Sequence, residues 1–171
     1  MSAAATPLLR IPVGVVVERR KAASPWMDFI WSGIAVLPDE AEMTPWTVLR
    51  EQEEATLFYA RSAAIDLYRS ETPRYRENLA TGAPCLWIVL SPSEGSWPYV
   101  VSAVTADPAE GEAFTEAGAN VVEMVPMPEV VRDAIETFIA EHHVERQFVK
   151  RERIRADPEA LARRQHEGGH K

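Results

Sequence analysis

Cysteine is almost missing from this sequence: Cys85 is the only one among 171 residues. A disulfide within the chain is excluded, which fits a reducing cytoplasm, the compartment expected here. Histidine is nearly as scarce, with four residues, two of them close to the end. A zinc shell of three or four side-chain ligands is therefore not expected, nor is any other metal or cofactor. No apolar run approaches the ~20 residues of a membrane helix, so no membrane partner is expected. The Gly-rich phosphate loops GxxxxGK[ST] and GxGxxG do not occur, and neither does the nucleophile elbow GxSxG. No catalytic constellation stands in their place, and the chain reads as more non-enzyme than enzyme.

Positive charge is also short. Eighteen Lys and Arg face twenty-six Asp and Glu, a net charge of −8. The imbalance is uneven. Residues 145–171 hold eight basic and five acidic groups, and everything before them is strongly acidic. An acidic body repels phosphates, so no nucleic acid is expected as partner. The basic end suits an acidic protein partner or the chain's own acidic body.

What is present is a core of ordinary size, with 46% hydrophobic residues in one domain's length. The start, MSAAATPLLRIPVGVVVERR, superficially resembles a signal peptide. It has no basic residue before Arg10, and Arg10 and Pro12 interrupt its apolar stretch. Residues 1–9 are read instead as a flexible arm.

The organising element is a helix over residues 128–143. Val130, Val131, Ala134, Ile135, Phe138, Ile139 and His142 recur at helical spacing, and Pro128 suits its start. Strands are expected at 12–20, 29–37, 46–52, 55–68, 85–90, 99–105 and 120–125. Gly33 marks a bulge or a close backbone approach. Arg61 falls on an otherwise apolar strand face, so either a bulge near Arg61 and Ser62 switches the faces or Arg61 is paired. Thr72 and Pro73 read as cap and first position of a short helix ended by Gly82. Asp107, Pro108 and Glu110 read as a capping box opening another, ended by Gly118. Cys85 opens the most continuous apolar run and is expected in the core. Trp87 is expected there too, while Trp26, Trp31, Trp46 and Trp97 are expected to plug the open ends of a curled sheet. His142 and His143 point roughly 100° apart on the helix, so they suit its negative C-terminus better than a shared metal.

These elements predict one α+β domain, residues 10–144, followed by a basic, partly helical or disordered tail, 145–171. The fold is a mostly antiparallel, curled sheet of about seven short strands covered by the C-terminal helix. A pleckstrin-homology-like barrel with a capping helix is the alternative. Phe148, Lys150, Arg151, Arg153 and Arg155 couple an aromatic anchor to four cations and are the candidate partner-binding residues. Arg61, Arg74 and Arg76 are candidate contacts for an anionic ligand.

Several stretches together carry a resemblance. They are 11–20 (IPVGVVVERR), Pro25-Trp26, Leu57-Phe58-Tyr59, Asp66-Leu67-Tyr68, Tyr75-Arg76-Glu77-Asn78-Leu79, Pro84-Cys85-Leu86-Trp87-Ile88 and Phe148-Val149-Lys150-Arg151. The chain resembles, over roughly residues 11–157, an uncharacterised bacterial family whose genes commonly lie beside those for molybdenum-dependent formate dehydrogenase and its chaperones. The resemblance implies a setting, the maturation, assembly or regulation of that enzyme. Together with the segregated charge and the missing catalytic constellation, it makes the expected function that of a non-catalytic accessory protein binding the molybdenum enzyme or its chaperone. It supplies no catalytic residue. A small-molecule or cofactor binder with an anionic ligand and a structural subunit of an oxidoreductase complex are the alternatives.

Overall fold

The structure is a computed structural model and describes residues 5–39 and 43–143. The candidate partner-binding residues Phe148, Lys150, Arg151, Arg153 and Arg155, and the expected tail helix, lie outside the described residues. Among the described residues seven strands form two antiparallel sheets. The first sheet holds β1 (Leu9–Ser24), β2 (Met27–Pro38), β3 (Thr47–Glu51) and β4 (Ala55–Leu67), in the order β2-β1-β4-β3. The second holds β5 (Cys85–Pro92), β6 (Tyr99–Thr105) and β7 (Val121–Pro126), in the order β6-β5-β7. The expected antiparallel α+β architecture is present. β2 lies beside β7 and β4 beside β6. No ladder joins either pair, so the strands stop short of the closed barrel held as the alternative.

β1 is the spine, pairing with both β2 and β4. Val13, Val15 and Val17 face the core, and Val16 is buried on the other side beside Tyr59. Burial on both faces explains why the valines run together instead of alternating with polar residues. Gly14 is required there, because an added Cβ would lie 2.6 Å from the Tyr59 ring.

Two bulges adjust the first sheet. On β4 the register slips between the Val15–Arg61 and Val16–Tyr59 pairs, which leaves Ala60 extra. The bulge expected near Arg61 is thus one residue earlier. It lets Phe58 and Ala60 and then Ile65 and Leu67 all reach buried positions. On β2 the slip falls between the pairs Val16–Ala35 and Val17–Gly33. Gly33 also makes the close approach, since a Cβ there would meet Ile88 Cγ2 at 2.6 Å.

Among the described residues three α-helices complete the fold. The first, α1 (Thr72–Ala80), follows a 3-10 turn at Arg69–Glu71. Thr72 does not cap it as expected. The preceding turn draws Thr72 into the helix, and its hydroxyl donates to Arg69 O at 3.2 Å. The second, α2 (Pro108–Glu116), covers the outer face of the second sheet, with Gly111 against Trp87. Asp107 caps it, accepting from Ala109 N at 2.9 Å. Glu110 does not close a capping box, because the Asp107 N–H already donates to Thr105 Oγ1. Gly82 and Gly118 end α1 and α2 with φ of 80° and 90°.

The organising helix, α3 (Glu129–His142), buries Val131, Ile135 and Phe138 across one end of the space between the sheets. Each such side chain contributes about 2 kcal/mol of burial. Val130 was expected on that stripe but is 61% exposed, since the buried face centres on Val131, Ile135 and Phe138. Asn78 binds the helical end to the sheets. Its Nδ2 donates to Cys85 O and Ala106 O at 2.8 and 3.0 Å, and its Oδ1 accepts from Cys85 N at 3.0 Å.

Candidate functional site

The end of the molecule away from α1 and α3 is aromatic. Trp31 of β2, Trp46 before β3, Phe58 of β4 and Trp97 from the β5–β6 loop gather there. Trp46 and Trp97 stack at 4.6 Å between centroids, and Trp31 and Phe58 stack at 6.0 Å. Three of the four tryptophans expected to plug a sheet end do so. Trp46 is held at a φ of 65°, and its N–H bonds to Tyr59 O at 2.6 Å. Left-handed backbone at a bulky residue is costly, so the surrounding packing must enforce it. The Arg19 guanidinium lies over Phe29, Phe58 and Trp31 at 4.6, 5.3 and 5.8 Å. Its Nε is buried without a hydrogen-bond partner among the described residues. The rings take the place of a polar partner.

The fourth tryptophan does the opposite. β1 and β2 continue past the last β1–β4 pair, Arg20 with Ala55, and turn between Ser24 and Met27. Trp26 at this projecting tip is 93% exposed, and Met27 beside it is 53% exposed. Ile30 follows on the same hairpin, also exposed. A 3.2 Å bond from Trp26 N to Ser24 Oγ and the Ser24–Met27 pair hold the turn.

The helical end is polar. Arg74 pairs with Glu71 at 2.6 Å and with buried Asp107 at 3.1 Å. These partners, Asp107 first, hold its guanidinium still more firmly protonated. Tyr75 is buried, and its hydroxyl accepts from Tyr68 N at 3.0 Å. Burial, outweighing that bond, pushes its hydroxyl up to about 12. The Glu110 carboxyl is also raised, first by desolvation and then by repulsion from Asp107, Asp66 and Glu71. Arg76 Nη1 lies 2.7 Å from His143 Nε2. His142 packs on Phe138 at 4.6 Å and approaches Glu141 at 3.7 Å.

The three candidate anionic-ligand contacts do not converge. Arg61 is exposed, bonds Ser62 O at 3.0 Å, and lines a shallow depression with Arg10 and Asp66. Arg74 lines a different one, of about 1310 Å³, with Arg69, Thr72, His142 and His143. Arg76 lines a third, between α1 and α3. Cys85, expected in the core, is partly exposed. It sits at the first position of its strand, where the outer sheet face meets a trough beside α3. Among the described residues no group of three His, Cys, Asp or Glu is placed to hold a metal ion. No described helix is long and apolar enough to cross a membrane.

A family model described as "Protein of unknown function (DUF3305)" matches residues 12–152. The chain belongs to this family. The match covers the described strands from Pro12 onward, the three described α-helices and the first part of the basic run. No curated protein and no solved structure matches the chain. Sequence reasoning missed the projecting hairpin, although Ser24-Pro25-Trp26 was visible as a break. It also missed the convergence of Trp31, Trp46, Phe58 and Trp97, which lie up to sixty-six residues apart in the sequence.

Proposed function

We propose that this DUF3305 protein is a non-catalytic accessory protein that works by binding another protein. The observation carrying this reading is the β1–β2 hairpin tip. A tryptophan exposed to 93% contributes nothing to the fold that a polar residue would not, and it puts apolar surface into water. Tryptophan is the residue type most often found at the energetic centre of protein interfaces. Lys21 at the hairpin base adds positive charge, while Arg20 is paired with Glu18 at 3.1 Å. The partner it fits has an apolar slot with an acidic margin, and the basic run 148–155 calls for the same chemistry.

The proposed setting is the maturation, assembly or regulation of a molybdenum-dependent formate dehydrogenase, with the enzyme or its chaperone as partner. Its support is the family resemblance over residues 11–157. The test is affinity capture with the intact protein and its Trp26→Ser variant, under formate-metabolising conditions, with bound proteins identified by mass spectrometry. The intact protein should retain a molybdenum enzyme or its chaperone, and the variant should lose it with an unchanged melting temperature. Equal capture by both removes the hairpin from the reading. Capture of neither candidate removes the setting.

A second reading, a binder of an anionic small molecule, has support from the depression of about 1310 Å³ that brings Arg69, Arg74, His142 and His143 together. Its Arg74 is already neutralised by Glu71 and Asp107. A thermal-shift series with formate, molybdate and phosphate tests it, and no shift with any of them ends it.

A further inference from the structure

α3 presents a second, uncovered flank. Glu129, Arg132, Asp133 and Glu136 recur at spacings of three and four and line one side of a trough of about 690 Å³. Its floor is apolar, with Pro84, Cys85, Pro126 and Met124, the last 61% exposed. The rim carries three carboxylates and one guanidinium, and Arg132 is itself paired with Glu136 at 3.2 Å. A smaller depression of about 280 Å³, between Leu79 and Ala80 of α1 and Ile139 of α3, adjoins the trough, with Glu136 lining both. Arg76 stands at its other end and holds His143. The apolar track therefore begins where the described chain ends, and it runs back along α3.

We propose that this trough is the docking site of the chain's own basic segment, residues 148–155. Phe148 would occupy the floor by Met124 and Cys85, and Lys150, Arg151 and Arg153 would face Glu129, Asp133 and Glu136. Reach and charge both select this occupant. Five residues separate His143 from Phe148, an extended span of ~17 Å. Eleven helical residues separate His143 from Arg132 beside the trough, a rise of ~16 Å. Of the other acidic loci, Glu71 and Asp107 are already paired with Arg74 and Asp66 with Arg10, and Glu51, Glu53 and Glu54 lie at the far end of β4. That strand of thirteen residues is ~40 Å long, which puts the last three out of reach of Phe148. Four cations with one aromatic and two aliphatic side chains match an apolar floor under a carboxylate rim. Docking withholds the basic run from any other acidic surface, so it is an autoinhibitory contact that a partner must displace. It does not depend on the proposed accessory role, since a chain without any partner would still cover the trough.

Cys85, being the single cysteine, is a built-in reporter of cover. The experiment measures the alkylation rate of Cys85 by a water-soluble maleimide. It compares the full chain with the full chain carrying Lys150→Glu, Arg151→Glu and Arg153→Glu. The native chain should react about tenfold more slowly at low salt, corresponding to a mostly docked segment. At ~1 M salt, where screening acts over ~3 Å, the two rates should converge. Adding Glu129→Lys and Asp133→Lys to the reversed chain should restore protection. These exposed positions lie outside the core, and equal melting temperatures check that folding is unaltered. Equal alkylation rates at low salt would overturn the docking. Protection that rises with protein concentration would also overturn it, because the occupant would then be the segment of a second copy.

Discussion

His143 is gripped from both sides: its Nδ1 lies 3.0 Å from Thr72 Oγ1, and its Nε2 lies 2.7 Å from Arg76 Nη1. A guanidinium can only donate, so Nε2 must accept. The proton then sits on Nδ1 and is donated to Thr72 Oγ1. The Thr72 hydroxyl is free to play that part because its own hydrogen goes to Arg69 O. Long-range 15N–1H NMR of the neutral His143 ring should therefore find the Nδ1–H tautomer. The Nε2–H form would contradict the chain of bonds.

Asn78 is the rivet between α1 and the second sheet. It is nearly fully buried and satisfies three backbone groups at once. Asn78→Asp replaces two donors with a carboxylate facing two carbonyl oxygens. The expected loss is about 3 kcal/mol or more, read by urea unfolding. Asn78→Ala should cost somewhat less, because it strands polar groups without adding a buried charge.

Gly33 sets how closely the two sheets approach. Gly33→Ala places a methyl group against Ile88, which is fully buried and cannot withdraw. A loss of about 1–3 kcal/mol follows. Gly33→Ala with Ile88→Ala should cost less than the two single changes added together, since the nearest atom, Ile88 Cγ2, is then gone. Two additive losses, measured by a double-mutant cycle, would show that the contact is not the cause.

Tyr75 gives the fold an alkaline limit. Its hydroxyl ionises near 10 in an ordinary setting and is pushed up to about 12 here. Below pH 10 both folded and unfolded chains keep the proton, so stability is unaffected. Between 10 and 12 the unfolded chain releases it and the folded chain does not, so stability falls as pH rises. Glu110, also raised, acts with the same sign in the acid range: its share of stability is present at low pH and lost as the carboxyl ionises. Glu110→Gln should hence raise the melting temperature at neutral pH. Tyr75→Phe should flatten the alkaline decline while lowering stability overall, because Tyr68 N loses its acceptor. Denaturant melts from pH 5 to 12 would check both.

Elements with a local signal were legible in the sequence. The seven strands, the valine spine, the two glycine helix ends and the Asp107 cap each follow from residues adjacent in the chain. The Arg61 anomaly announced its bulge, because one charge out of phase in an apolar alternation has few physical explanations. Features made by distant partners were not legible. Thr72 looked like a cap until the 3-10 turn before it absorbed that role. Glu110 looked like half of a capping box, but Thr105 had already taken the N–H it would have met. Cys85 looked like core from its neighbours, and its partial exposure depends on where α3 lands forty residues later. The same holds for the candidate site. Nothing local distinguishes Trp26, which stands in water, from Trp31, which packs against Trp46, Phe58 and Trp97.

That contrast between tryptophans has an optical consequence. Rings stacked as closely as Trp46 and Trp97 couple their transitions, so the aromatic end should give an exciton couplet in the ultraviolet circular dichroism. The couplet vanishes when the sheets part. Trp26, bathed in solvent, should emit at the red edge of the fluorescence and be quenched readily by iodide, while Trp87 emits to the blue. The chain thus carries two independent native dyes. One reads the integrity of the fold, and the other reads whether the hairpin tip is covered.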